Sequence, residues 1–176
     1  MKKILGVGTA LVDIIAQVDE DVIAKLGLNK GSMSLIEEKQ IPRIREYFNN
    51  PTMTSGGSVC NTIHELNNSS HYASFFGKVN DDDYGNAFLS DMEKAKIFFQ
   101  GIKEKNSLPT GCCNILVTKD GERTMATHIG IGSQLNVKDI TKEKFEGMDH
   151  VYMEAYLWDH DLTKAALKTV GELSKE

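Results

Sequence analysis

Cysteine is scarce in this 176-residue chain: Cys60, Cys112 and Cys113 are its whole supply. An odd count, two of them adjacent and none in a C-x-x-C spacing, builds neither a disulfide framework nor a tetrahedral zinc site, and a reducing cytoplasm is the expected setting. No apolar run approaches the roughly 18 residues of a membrane span. The opening run over residues 4–12 carries two glycines, stops at Asp13 and lacks a small-x-small cleavage site, so it does not read as a signal peptide. There is no Lys/Arg run either. With Lys+Arg 20 against Asp+Glu 25 and a net charge of −5, the chain has no electrostatic footprint for duplex nucleic acid or an anionic membrane. Three catalytic signatures are also missing: G-x-x-x-x-G-K-[ST], H-E-x-x-H and G-x-S-x-G. Their absence excludes a P-loop, a zincin and a nucleophile elbow.

What remains is the composition of an ordinary soluble domain, 40% hydrophobic and 26% charged. Residues 3–8 (KILGVG) form a short β-rich run without polar alternation until the glycines end it, which suits a strand buried on both faces. Further strands are expected at 12–18, 32–36, 72–76, 111–118, 122–128 and 151–153. Helices are expected at 19–26, 37–48, 59–66, 84–95 and 162–173, with Asp19 as N-cap of the first and Pro42 in the first turn of the second. Asp120-Gly121 joins two of the strands as a hairpin signal. Strands alternating with helices predict an α/β fold with a mostly parallel sheet. The segments near 12–18, 32–36 and 111–128 predict an antiparallel patch attached to it. The chain stops just after a helix that would lead into another parallel strand, which reads as an interrupted β-α-β unit and a truncated fold.

Few residues carry chemistry. Gly6 and Gly8 start a G-x-G, but Leu11 stands at the third glycine position and a strand follows, so they read as close-packing glycines and not as a dinucleotide loop. The five histidines are scattered, and neighbours such as Asp159 and His160 do not share a helix face. Cys60 reads as a small buried hydrophobe. The strongest feature is residues 55–61, SGGSVCN. Gly56 and Gly57 let the backbone take positive φ and approach a ligand. Asn61, one turn into the following helix, offers donors and an acceptor. Asp13, on another strand leaving the same sheet edge, supplies an acceptor-only carboxylate able to take two hydroxyl protons. A flexible loop, a capping Asn and a solvated Asp is the competing reading of these same residues.

In this order, those residues resemble the ribokinase-like (pfkB) carbohydrate kinase family. GGSVCNTIHELNNSSHYASFFGKVNDDDYGNAF, with Gly77 and Gly85 in its later turn, is similar to that family's N-terminal signature, and GVGTALVDI to its first strand. LGLNKGSMSLIEE, PTGCCNILVTKDGERTM and YMEAYLWD extend the resemblance over the whole chain. It implies a three-layer α/β core with a small antiparallel β-sheet lid, Gly56 and Gly57 as the lid hinge, and Asp13 and Asn61 as substrate-binding groups. It also implies ATP and Mg²⁺ as cosubstrate and cofactor, a sugar or nucleoside primary hydroxyl as acceptor, and a possible homodimer through the lid. The spacing over 9–13 and the bulky Met33, Met125 and Tyr156 resemble adenosine-kinase-type members, although Thr9 stands where nucleoside-specific members often carry Asn. The family's second signature, with the catalytic base, and its N-x-x-E motif are missing. Residues 1–176 are therefore expected to be the acceptor-binding half and lid of a kinase, cytoplasmic, inactive in isolation and with no metal ligand or catalytic base of its own. The alternative is a non-catalytic sugar-binding or dimerisation module.

Overall fold

A computed structural model describes residues 1–175. In chain order the elements are β1 (Lys3–Val7), β2 (Leu11–Gln17), α1 (Glu20–Lys25), β3 (Met33–Leu35), α2 (Ile41–Arg45), β4 (Thr52–Gly56), α3 (Ser58–Asn68), β5 (Tyr72–Phe76), β6 (Lys78–Asn80), α4 (Asp83–Lys94), β7 (Phe98–Phe99), β8 (Ile102–Glu104), β9 (Gly111–Val117), β10 (Arg123–His128), β11 (His150–Met153) and α5 (Asp161–Leu173).

One sheet has four strands in the order β11-β1-β5-β7, all parallel. Side chains alternate across it. Leu5, Val7 and Phe76 pack on one face with Ala166, Leu167 and Val170 of α5. Ile4, Ala73 and Phe75 pack on the other with Val59 and Ile63 of α3 and Phe88 and Met92 of α4. Helices on both faces make the three layers, and they explain why β1 is apolar without alternation. Gly6 and Gly8 belong to this packing: a Cβ on either would come within 3.0 Å of Val59, so α3 lies directly on β1. They are packing glycines, as their sequence context indicated.

A second sheet has five strands in the order β3-β10-β9-β2-β4. It departs from the antiparallel patch expected. Hairpin β9–β10 and pair β2–β4 are antiparallel, but β2–β9 and β3–β10 are parallel, so the sheet is mixed. The physical reason is connectivity: nearly a hundred residues separate β2 from β9, and no tight turn forces their directions to oppose. The hairpin turn is the one expected, with Gly121 at φ +84° and the Thr118 hydroxyl donating to Asp120 Oδ1 at 2.6 Å. Val12, Ile14 and Ala16 of β2 point into the core, where Ile41 and Ile44 of α2 and Val22 and Ile23 of α1 join the same cluster.

Local differences have local causes. The long helix expected over 37–48 divides into a 3₁₀ turn at Glu38–Gln40 and the short α2, with Pro42 in its first turn. Asp19 stands at the N-cap of α1 without a side-chain capping bond, its carboxylate pairing with Lys119 instead, whereas Asp82 caps α4 by accepting the Gly85 N–H at 2.7 Å. Among the described residues no helix is long and apolar enough to cross a membrane.

Candidate functional site

Residues 52–56, expected to be a loop, form β4, the edge strand that carries the chain into α3. Its register sets the site. Asp13 pairs with Thr54 on one side and Cys113 on the other, and Leu11 pairs with Gly56. Because side chains alternate along β2, Leu11 and Asp13 emerge on the face opposite Val12 and Ile14, above a cleft of ≈ 380 Å³.

The two glycines do different things. Gly57 has φ +101°, a conformation only glycine takes readily, and a Cβ there would lie within 3.0 Å of the Thr9 carbonyl oxygen. Gly56 needs no positive φ. It is glycine for space, since a Cβ would lie within 3.0 Å of every heavy atom of the Asp13 carboxylate. Gly57 lines the cleft, and Gly56 backs Asp13 from behind. Asn61 bonds through its N–H to the Gly57 carbonyl at 2.9 Å, and its exposed side chain lines the cleft. The structure therefore brings Asp13, Gly57 and Asn61 to one cavity.

Asp13 is the charged centre of that cavity. Its carboxylate accepts no hydrogen bond from the described side chains or backbone, and burial pushes its pKa up to about 6 against the opposing pull of Arg123. Beside it, burial pushes the Cys113 thiol up to about 11, although the Thr127 hydroxyl donates to its sulfur at 3.3 Å. Cys60, on α3 just after the glycine pair, is fully buried, and burial pushes its thiol up to about 12, which makes it an inert packing group.

One cleft residue went unrecognised in the sequence. Glu154, 8% exposed, follows β11 and faces Thr9, which follows β1. Its Oε1 accepts the Thr9 N–H at 2.7 Å and the Thr9 hydroxyl at 2.6 Å, and its Oε2 accepts the Ser58 hydroxyl at 2.8 Å. This clasp ties the ends of two adjacent parallel strands to the first turn of α3. A signal existed: in open α/β sheets ligands gather at the carboxyl ends of strands, and Glu154 is the polar residue immediately after one. Glu154→Ala leaves two buried Thr9 donors without an acceptor, so urea unfolding is expected to show a loss of roughly 2–4 kcal/mol. Glu154→Gln, whose amide oxygen can keep the Thr9 bonds, is expected to lose less than half as much.

The cleft is divided in character. Thr9, Asp13, Ser58, Asn61 and Glu154 form a polar end by the glycine pair, while Leu11, Met33, Leu35, Ile115, Met125 and Ile129 form an apolar wall, most of it contributed by the five-stranded sheet. Tyr156, 63% exposed, stands at the rim. Such a cavity suits a ligand with a polyhydroxylated part and an apolar or aromatic part. Among the described residues no group of three or more His, Cys, Asp or Glu could hold a metal ion.

Residues 1–176 match the model of the pfkB family of carbohydrate kinases. Adenosine kinase 2 of Arabidopsis thaliana is 28% identical over 144 residues, which are 79% of this chain and 41% of that one. The solved adenosine kinase from Sinorhizobium meliloti superposes with a TM-score of 0.89 at 31% identity, covering 99% of this chain and 53% of that one. A probable sugar kinase protein from Rhizobium etli CFN 42 does so with a TM-score of 0.90 at 30% identity, with the same coverage. The chain thus spans about half or less of the length of the relatives it matches.

Proposed function

The chain belongs to the pfkB family of carbohydrate kinases, and from that membership we propose that it forms the acceptor-binding part of an ATP-dependent kinase acting on the primary hydroxyl of a nucleoside or sugar. The observation that carries this reading is the unpaired Asp13 carboxylate, held against Gly56 and facing the same cleft as Gly57 and Asn61. A carboxylate without a protein donor, in a cavity edged by an amide side chain, is complementary to adjacent hydroxyls: each Asp13 oxygen accepts one, and Asn61 donates to or accepts from the next.

Phosphoryl transfer leaves the protein mainly positioning and electrostatics to supply. On this chain the positioning groups are Asp13 and Asn61 at the sugar end, with Glu154 holding Thr9 and Ser58 in place beneath them. The apolar wall of Met33, Leu35, Ile115 and Met125 takes a flat base, which favours a nucleoside over a bare sugar. Gly56 and Gly57 are the hinge on which the five-stranded sheet closes as a lid and excludes water. Membership in this family implies ATP as phosphoryl donor and Mg²⁺ to neutralise charge on its phosphates; no residue of this chain is assigned to the metal. A homodimer through the lid would use the cleft-side face or the β3 and β4 edges, because α1 and α2 cover the other face.

The test is a calorimetric titration of the purified chain with adenosine, ribose and fructose. One saturable site is expected, tightest for adenosine, and removed by Asp13→Ala. Absence of heat with all three, together with an unmoved melting curve, would overturn the reading.

A further inference from the structure

Asp91 stands in the last turn of α4, outside the cleft and in a place where a negative charge opposes the helix dipole. Its Oδ2 accepts the backbone N–H of Ser55 at 2.8 Å, and its Oδ1 is only loosely paired, 3.4 Å from Lys94 Nζ. Ser55 lies on an edge strand, immediately before Gly56 and Gly57. An edge N–H normally turns to water; here a carboxylate from another element takes it. Ser55, 8% exposed, is held through its side chain as well: its Oγ lies 3.3 Å from His64 Nε2 on α3. The residue before the hinge is therefore fixed through its backbone by α4 and through its side chain by α3.

That fixation reaches the cleft in one step. Gly56 follows Ser55 and abuts Asp13 so closely that even a Cβ has no room. Any sideways drift of β4 moves Gly56 relative to the Asp13 carboxylate. A charge set against the dipole of its own helix is a local conflict, and such conflicts concentrate where a structure serves function.

We propose that Asp91 is a positioning residue for the acceptor site, pinning β4 through the Ser55 N–H so that Gly56 and the Asp13 carboxylate keep their places; its effect on ligand affinity rests on the acceptor reading above. Asp91 touches no ligand and acts only through Ser55.

The test compares Asp91→Ala and Asp91→Asn in the whole chain by three readouts: amide exchange at Ser55, the titration midpoint of the Asp13 carboxyl followed by ¹³C NMR, and calorimetric affinity for adenosine. With the acceptor gone, Asp91→Ala is expected to exchange at Ser55 about tenfold faster or more, shift the Asp13 midpoint, and bind adenosine about tenfold more weakly. Asp91→Asn keeps an acceptor oxygen and is expected to stay within about twofold of the wild type on exchange and affinity. Should Asp91→Ala not fold, Asp91→Glu is the second variant; it keeps the charge, displaces β4 by a methylene, and is expected to move the Asp13 midpoint. Faster exchange at Ser55 with an unmoved Asp13 midpoint and unchanged adenosine affinity would overturn the proposal, leaving Asp91 as support for a strand edge alone. A wild-type chain that binds no adenosine would overturn the acceptor reading instead, and the positioning claim would then stand or fall on the Asp13 midpoint.

Discussion

Alanine at position 56 is expected to weaken acceptor binding as severely as removal of the Asp13 carboxylate itself, by roughly 10- to 150-fold, the equivalent of a charged hydrogen bond worth about 1.5–3 kcal/mol. The new methyl group would lie within 3.0 Å of the Asp13 Cγ and both of its oxygens, where carbon contacts ordinarily begin near 3.5 Å. Gly56 does not have the positive φ of Gly57, so alanine brings no backbone strain and β4 keeps its pairing with β2. The side chain that gives way is Asp13. The two lesions are therefore one lesion, and the double substitution Gly56→Ala, Asp13→Ala is expected to bind no worse than Asp13→Ala alone. Additive losses in calorimetric titrations with adenosine would show that Gly56 acts on something other than the carboxylate. Gly57→Ala differs in kind: it combines a strained φ with a clash against the Thr9 backbone, and its loss is expected in overall stability as well as in binding.

The second large effect runs in opposite directions for stability and function. Asp13 is raised from 3.8 to about 6, chiefly because burial penalises its charged form. A folded-state pKa above the unfolded value means that the native state holds the proton more tightly. Asp13 therefore opposes folding in full above pH 6, and the penalty fades as pH falls toward 3.8. At about 1.36 kcal/mol per pH unit the penalty at neutral pH is about 3 kcal/mol. Asp13→Asn removes the charge at nearly constant shape, so its melting temperature is expected to rise by roughly 6–10 °C at pH 7 and to converge on the wild type near pH 4. Adenosine affinity is expected to collapse in the same variant. In the wild type, affinity should fall about tenfold per pH unit below pH 6 as the carboxylate protonates. A destabilised Asp13→Asn at neutral pH would mean that the carboxylate has a protein partner after all. A half-buried charge with no protein hydrogen-bond donor, kept at such a cost, supports the reading of Asp13 as a hydroxyl-binding group.

Some of this was legible in the residues. The apolar run of β1 and the amphipathic spacing of α4 and α5 carry their own signals, since burial on two faces or one face writes itself into the pattern. The glycine pair, Asn61 and Asp13 were visible because each is a residue type with a special conformation or a fixed hydrogen-bonding role. Strand β4 was hidden: TMTSG has the small polar side chains of a loop, and it is a strand only because β2 lies beside it. The mixed character of the five-stranded sheet was hidden too, as strand direction depends on long connections that no local signal reports. The separate duties of Gly56 and Gly57 could not be told apart without the Asp13 carboxylate in place beside one and the Thr9 carbonyl beside the other. Glu154 and Asp91 were invisible as partners for the same reason: Glu154 meets Thr9 across 145 residues of sequence and Ser58 across 96, and Asp91 meets Ser55 across 36.

The measurement that bears most directly on the central claim is a crystal structure of this chain with adenosine bound. The account predicts ribose hydroxyls within about 2.6–3.2 Å of the Asp13 carboxylate and the Asn61 amide, with the base against Met33 and Met125. Adenosine seated elsewhere, or in this cleft with its ribose turned away from Asp13, would contradict it.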